Sequence, residues 1–408
     1  MKILFLAHRI PYPPDKGEKI RAFHELQFLG SRHTVDLLCF ADSDAEAEEQ
    51  KALKDLSRNI YVETRSRTKL AAGVARSFLR GEPLSCGCFF SSKFQVEVRR
   101  ALAMCTYDVI FIFCSSMAQY LPRPLPSPVV LDFVDIDSAK WAQYAQRSRP
   151  PFSWVFAREA RKLARYEEHW ARVSSSTIVS TRQEASLLHG EGILPVEVVS
   201  NGVEIPEERL DPLPAEIRAL QPYAVFVGTM DYLPNVDAVE YFAQEILPRV
   251  RERHPELKFV IVGRDPARRV RKLKRTQGVV VTGTIPEVET YVAGATVVVA
   301  PFRIAQGIQN KLLEGLAMGK RIISTPGPAA AIAASPGETL LVADNSQDFA
   351  QALVALLEDP ETYCCFSEGV DFVRKNFNWH DKLNHLEQLL LRAAVLTPGR
   401  EEAKPCLS

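Results

Sequence analysis

An apolar run at 296–300 leads into a short loop containing Arg303 and Gln306, then Gly307, then a stretch in which Ile308, Leu312 and Leu316 recur at helical spacing. The pattern predicts a buried parallel strand, a loop, and a helix that Gly307 opens and Gly319 closes in the left-handed position. Loops at the carboxyl end of a parallel strand are where open α/β sheets bind ligands, and the free amides of a helix start suit a phosphate. Glu314 is the one acid inside the predicted helix, on the turn beside its apolar face. A carboxylate there can accept two hydrogen bonds from a vicinal diol such as a ribose.

The elements that must position these groups alternate along the whole chain. Strand candidates fall at 2–7, 34–39, 108–113, 128–133, 177–180 and 196–199, then at 223–227, 258–262, 279–282, 296–300, 321–324 and 339–342, with helical segments between them. This alternation predicts an α/β chain with two Rossmann-like, doubly wound domains facing a cleft. The reading divides the chain into a first domain at 1–205, a proline-bearing linker at 206–222 and a second domain at 223–376. A final amphipathic helix at 377–396 and a polar, disordered tail at 397–408 complete it.

Composition narrows the function classes. Fifty basic and fifty acidic residues cancel, so charge gives no argument for nucleic acid. Cys86/Cys88 and Cys364/Cys365 are too close for ordinary metal or disulfide frameworks, and the eight cysteines read as reduced thiols of a cytoplasmic enzyme. The apolar start ends at His8 and Arg9, short of a secretory core or a membrane span, and reads as a first strand. No predicted strand runs into G-x-G-x-x-G, which disfavours a nicotinamide dehydrogenase.

The segment at 301–325 resembles the donor-site signature of retaining family 4 glycosyltransferases of the GT-B fold, in which two Glu are separated by seven intervening residues. Glu314 matches the second position, and Gln306 stands at the first. The resemblance implies transfer of a sugar from a nucleoside diphosphate donor to a saccharide or lipid-linked acceptor, with retention. It implies no metal and no cofactor beyond the nucleotide-sugar itself. The second Glu contacts the ribose in that family and the first contacts the sugar. Further matches are Gly17 in a loop after the first strand, the Asn201-Gly202-Val203-Glu204 segment, and Gly228-Thr229 at the start of the second domain. The loop at Gly17 reads equally as an ordinary turn. Asn235 is expected to cap the next helix. The Arg and Lys that many members place after the glycine are missing. Arg303, Lys311 and Arg264 are the candidate stand-ins, with Arg303 and Lys311 nearer the donor loop, alongside amides at Gly307 and Ile308. In GT-B enzymes the last helix often crosses back to the first domain. The branch resembles sugar transferases of bacterial exopolysaccharide and protein-sorting gene systems. A nucleotide-sugar epimerase of the same fold, or a non-catalytic nucleotide-sugar-binding subunit, is the alternative reading.

On the acceptor side, Asp135 and Asp137 form an Asp-x-Asp, a pair suited to a divalent metal in another transferase fold. Here they read, with Asp132, as acceptor-side or helix-capping groups without metal, and Asp135 joins Arg303 and Lys311 as a candidate catalytic residue. His8 is either a further acceptor-side group or a structural imidazole. Basic, aromatic-bearing stretches at 65–80 and 147–165 read either as solvated helix faces or as a contact with an anionic membrane at the inner face of the plasma membrane.

Overall fold

The computed structural model describes residues 1–193, 196–206, 212–359 and 366–395. The chain divides into two compact units, Met1–Ser200 with His380–Ser408, and Asn201–Trp379. The cysteines at 364 and 365, the tail at 397–408 and linker positions 207–211 lie outside the described residues.

In the first unit, β1 (Lys2–Ala7), β2 (Thr34–Ala41), β3 (Asn59–Thr64), β4 (Val109–Phe113), β5 (Val129–Asp132), β6 (Ser176–Val179) and β7 (Val196–Val198) form one sheet. Its order is β3-β2-β1-β4-β5-β6-β7, and every pairing is parallel. The central strands read as unbroken apolar runs because helices cover both faces, and β4 is buried at every position. Strand β3 escapes the sequence reading for the opposite reason. It is an edge strand, mostly half-buried, and Asn59, Glu63 and Thr64 interrupt its apolar residues.

The second unit repeats the plan. Strands β8 (Tyr223–Val227), β9 (Lys258–Val262), β10 (Val279–Gly283), β11 (Val297–Ala300), β12 (Ile322–Ser324) and β13 (Leu341–Val342) lie in the order β10-β9-β8-β11-β12-β13, again all parallel. In both sheets the strand order reverses beside the first strand, between β1 and β4 and between β8 and β11. Such switch points leave a crevice at the carboxyl ends of the strands. Part of the expected linker is built into this unit: the short helix Ala215–Arg218 buries Ile217 in its core.

The helix Trp379–Val395 belongs to the first unit from His380 onward. Its Leu383, Leu386, Leu389 and Leu390 are buried, and Glu387 accepts from Arg32 at 2.8 Å and faces His33 at 2.9 Å. The two parallel α/β sheets are those expected from the alternation of apolar runs, and the returning last helix is that expected from the resemblance.

Candidate active site

In the second unit, β8, β9, β11 and β12 end together, and the residues that follow them are Gly228, Gly263, Pro301 and Thr325. The first two glycines are required by contact. Gly263 has φ +153°, and a Cβ on it would lie 1.7 Å from the Gly228 carbonyl oxygen. A Cβ on Gly228 would lie 2.7 Å from Nδ2 of Asn235. The floor of this end is therefore bare backbone, which lets a ligand approach closely.

Asn235 corrects an expectation. The helix runs Leu233–Tyr241 with Tyr232 as its cap, so Asn235 sits inside the first turn instead of capping it. Its amide donates to the Thr229 carbonyl at 2.9 Å, and its Oδ1 accepts from Lys311 Nζ at 3.0 Å. One side chain thus ties the Gly228-Thr229 turn to the donor-loop helix.

The helix start also differs from the sequence reading. Gly307 adopts φ +65°, Gln309 is extended, and the helix spans Asn310–Ala317. A left-handed residue cannot begin a right-handed helix, so Gly307 turns the chain and Ile308 packs on the core before the helix begins. The Gly307 and Ile308 amides therefore belong to a loop, and the helix-start amides belong to Asn310 and Lys311. The end is as expected: Gly319 has φ +65°, and the Gly319 and Lys320 amides donate to Leu316 and Gly315 carbonyls.

Lys311 lies under this loop. Its ammonium is 4.5 Å from the Phe226 ring centroid and 4.6 Å from that of Phe302. Burial, only partly offset by Glu314, pushes its pKa down to about 7. Glu314, one turn on, makes no ion pair or side-chain hydrogen bond among the described residues. Burial raises its pKa, opposed by Lys311 and supported by Glu289. Arg303, the other candidate cation, already has a partner: its Nε and Nη2 donate to Asp237 at 3.0 and 2.6 Å, and its guanidinium lies 4.6 Å over Tyr241. To hold a phosphate it would have to leave Asp237. Gln306 is half-buried in the same loop, and its carbonyl accepts from Gln309.

In the first unit, Ala7, Phe113, Asp132 and Ile178 stand abreast in register, so His8, Cys114 and residues 133–137 emerge at one edge. His8 stacks on Phe113 at 5.8 Å and meets Phe89 edge-on at 5.3 Å, and burial lowers its pKa. Its Nδ1 is buried without a partner. Gly17 begins the helix Gly17–Gly30.

Asp132 does not cap a helix. It is fully buried, accepts from Arg21 Nε and Nη2 at 2.8 and 2.6 Å, and takes the Val134 amide at 2.7 Å. Arg21 also pairs with Glu25 at 3.0 Å and donates to the Val199 carbonyl at 2.7 Å. The helix Asp137–Arg147 is preceded by Ile136, and acids from elsewhere serve its start: Glu167 accepts from the Ser138 amide and Glu184 from the Ile136 amide. Asp135 accepts from Ser180 Oγ at 3.4 Å; burial and then the charge of Glu184 hold its pKa well above the carboxylate range. Asp137 pairs with Lys140. Among the described residues, no three imidazole, thiol or carboxylate groups gather as a metal site.

Arg21, Glu167 and Glu184 escaped the sequence reading. Only Glu184 left a signal, the capping box Thr181-x-x-Glu184, in which the Glu184 amide donates to Thr181 Oγ1.

Residues 221–359 match the family described as Glycosyl transferases group 1, a stretch lying within the second unit. No curated protein matches the chain. Among solved structures, the chain is similar to sucrose-phosphate synthase from Thermosynechococcus elongatus, with a TM-score of 0.73 at 17% identity over 97% of this chain and 100% of the other. It is also similar to Anabaena HepE in complex with UDP-glucose, with a TM-score of 0.66 at 15% identity over 96% and 100%. A third likeness is S. aureus TarM bound to fondaparinux, α-GlcNAc-glycerol and UDP, with a TM-score of 0.64 at 11% identity over 95% and 99%. The fold is that of the GT-B glycosyltransferases.

Proposed function

We propose that the protein is a glycosyltransferase that moves a sugar from a nucleoside diphosphate donor to a saccharide or lipid-linked acceptor, with retention and without metal. The observation that carries this reading is Glu314, a carboxylate without a side-chain partner among the described residues, one turn from Lys311 at the glycine-floored carboxyl end of β8 and β11. It lies inside the stretch that matches group 1 glycosyltransferases.

In this reading Glu314 accepts hydrogen bonds from the ribose, and the diphosphate meets the Gly228-Thr229 turn, the loop at Gly307 and Ile308, and Lys311. The bond from the anomeric carbon to the β-phosphate oxygen breaks, and its electron pair leaves with the nucleoside diphosphate. The acceptor hydroxyl forms the new bond on the same face and passes its proton to the departing diphosphate oxygen. Cationic and amide donors stabilise the charge on the leaving group. Gln306 contacts the transferred sugar. His8, Asp135 and Asp137 serve the acceptor side, with burial and the charge of Glu184 favouring the protonated form of Asp135. Donor hydrolysis and transfer, measured with and without acceptor, test the reaction; conversion of the donor to an epimer, or no turnover of any nucleotide-sugar, overturns it.

The lipid-linked acceptor has separate support. No helix among the described residues is long and apolar enough to cross a membrane. In the first unit, however, Phe78 (61% exposed), Leu79 (85%), Phe152 (64%) and Trp154 (70%) face solvent. The Arg158 guanidinium lies 5.1 Å over Phe78, joining helices Arg67–Leu79 and Phe152–Val173. Arg67, Arg80, Arg147, Arg149 and Arg161 are exposed in the same two stretches. Apolar side chains set among cations suit an anionic bilayer surface, as expected for an enzyme of exopolysaccharide synthesis at the inner membrane face. Co-sedimentation with anionic vesicles, reversed by salt, is the expected result; equal partitioning to neutral and anionic vesicles returns these helices to plain surface.

A further inference from the structure

Lys311 is an unusual cation for a phosphate site because the protein leaves it incompletely satisfied. Its ammonium has three N–H groups, but among the described residues its one hydrogen-bond acceptor is the neutral Asn235 Oδ1, and the Phe226 and Phe302 rings lie 4.5 and 4.6 Å away. Glu314 is the charged group that acts on it, from its own helix and beyond ion-pair distance. The other charges nearby are engaged: Asp237 holds Arg303, Glu240 holds Arg269, and Glu289 acts on Glu314. On the facing elements, β8 contributes Phe226, the loop after β11 Phe302 and helix Leu233–Tyr241 Asn235, all uncharged.

We propose that the donor diphosphate supplies the missing anion at Lys311, and that binding draws one proton from solution onto this side chain. The proposal rests on the nucleotide-binding reading above and adds a proton to it. A cation in an apolar setting is stabilised by a contacting anion, so the charged form gains when the diphosphate arrives. The free side chain titrates near neutrality, down at about 7, so the amine is mostly neutral at pH 8 before binding. At that pH the terminal phosphate of a nucleoside diphosphate has already lost its proton. Proton uptake at Lys311 is then not masked by release from the ligand.

The test is calorimetric titration of the full-length protein with UDP, ADP and GDP at pH 8, in buffers of different ionisation enthalpy. The expected result is net proton uptake on nucleotide binding, more than half a proton per nucleotide, as a largely neutral amine becomes charged. Lys311→Arg, charged throughout, is expected to bind with no uptake. Lys311→Met is expected to lose uptake and to bind at least tenfold more weakly, with a cooperative melting transition no lower than that of wild type showing that it folds. Binding whose heat is independent of buffer, or equal uptake in wild type and Lys311→Arg, overturns the proposal while leaving the donor site intact. Absence of binding by every nucleotide overturns the donor-site reading and this proposal together.

Discussion

At the carboxyl end of the first sheet, Arg21 is shared by Glu25 and Asp132, while Glu167 and Glu184 hold the amides of the next helix. The same end of the second sheet carries bare glycine backbone, one lysine on a neutral acceptor, and one glutamate without a side-chain partner. Two sheets of the same strand order thus solve the same problem, the open ends of parallel strands, in opposite ways. The first closes its edge with internal ion pairs and so fixes its loops. The second leaves Lys311 and Glu314 outside any ion pair among the described residues, which stabilises little by itself but leaves binding energy for a ligand.

The sharpest break in this comparison is Arg21→Met. It leaves Asp132 and Glu25 buried without their cation, and removing one partner of a buried pair costs about 3–5 kcal/mol. A loss of that size in urea unfolding is expected, and a loss near zero would mean that the first edge is held by packing alone. On the second edge the effect moves from stability to binding. Glu314→Gln is expected to weaken nucleotide binding at least about tenfold, roughly 1.4 kcal/mol, with melting unchanged. Gln306→Ala should lower transfer more than nucleoside diphosphate affinity, because its proposed contact is to the sugar. Unchanged affinity in folded Glu314→Gln would reduce the helix Asn310–Ala317 to scaffold.

A smaller effect is a slope. Lys311 is lowered to about 7 in the folded chain, below its unfolded value, so between those values the unfolded state binds the extra proton. Unliganded stability should therefore rise with pH from about 7 upward relative to Lys311→Met, and a difference that is flat or falls with pH between 7.5 and 9.5 refutes this. The smallest expected effect is none: transfer should survive EDTA, and Asp135→Asn and Asp137→Asn should not create or remove a metal requirement. Activity lost to chelator and restored by Mg²⁺ would make the first edge a metal site after all.

Much of the architecture was legible because buried parallel strands must be apolar throughout. Runs such as those at β1, β4 and β8 announce themselves, and Gly319 marks its helix end through a backbone geometry only glycine adopts easily. Where a strand lies at the edge, as β3 does, that signal fades. The site was legible in part. Gln306, Gly307, Lys311 and Glu314 stand close in sequence and remain close in the fold, but the helix starts at Asn310 because Gly307 turns left-handed.

The sequence by itself determined two doubly wound sheets and the segment that carries the loop at Gly307, since periodicity and local turn chemistry are properties of neighbouring residues. Only the tertiary structure decided what each charge does. Lys311 meets Asn235, 76 positions away; Arg303 meets Asp237, 66 away; and Arg21 meets Asp132, 111 away. Whether a cation is spent in an ion pair or left for a ligand depends on partners that folding brings from distant parts of the chain, and on how much water folding removes from between them.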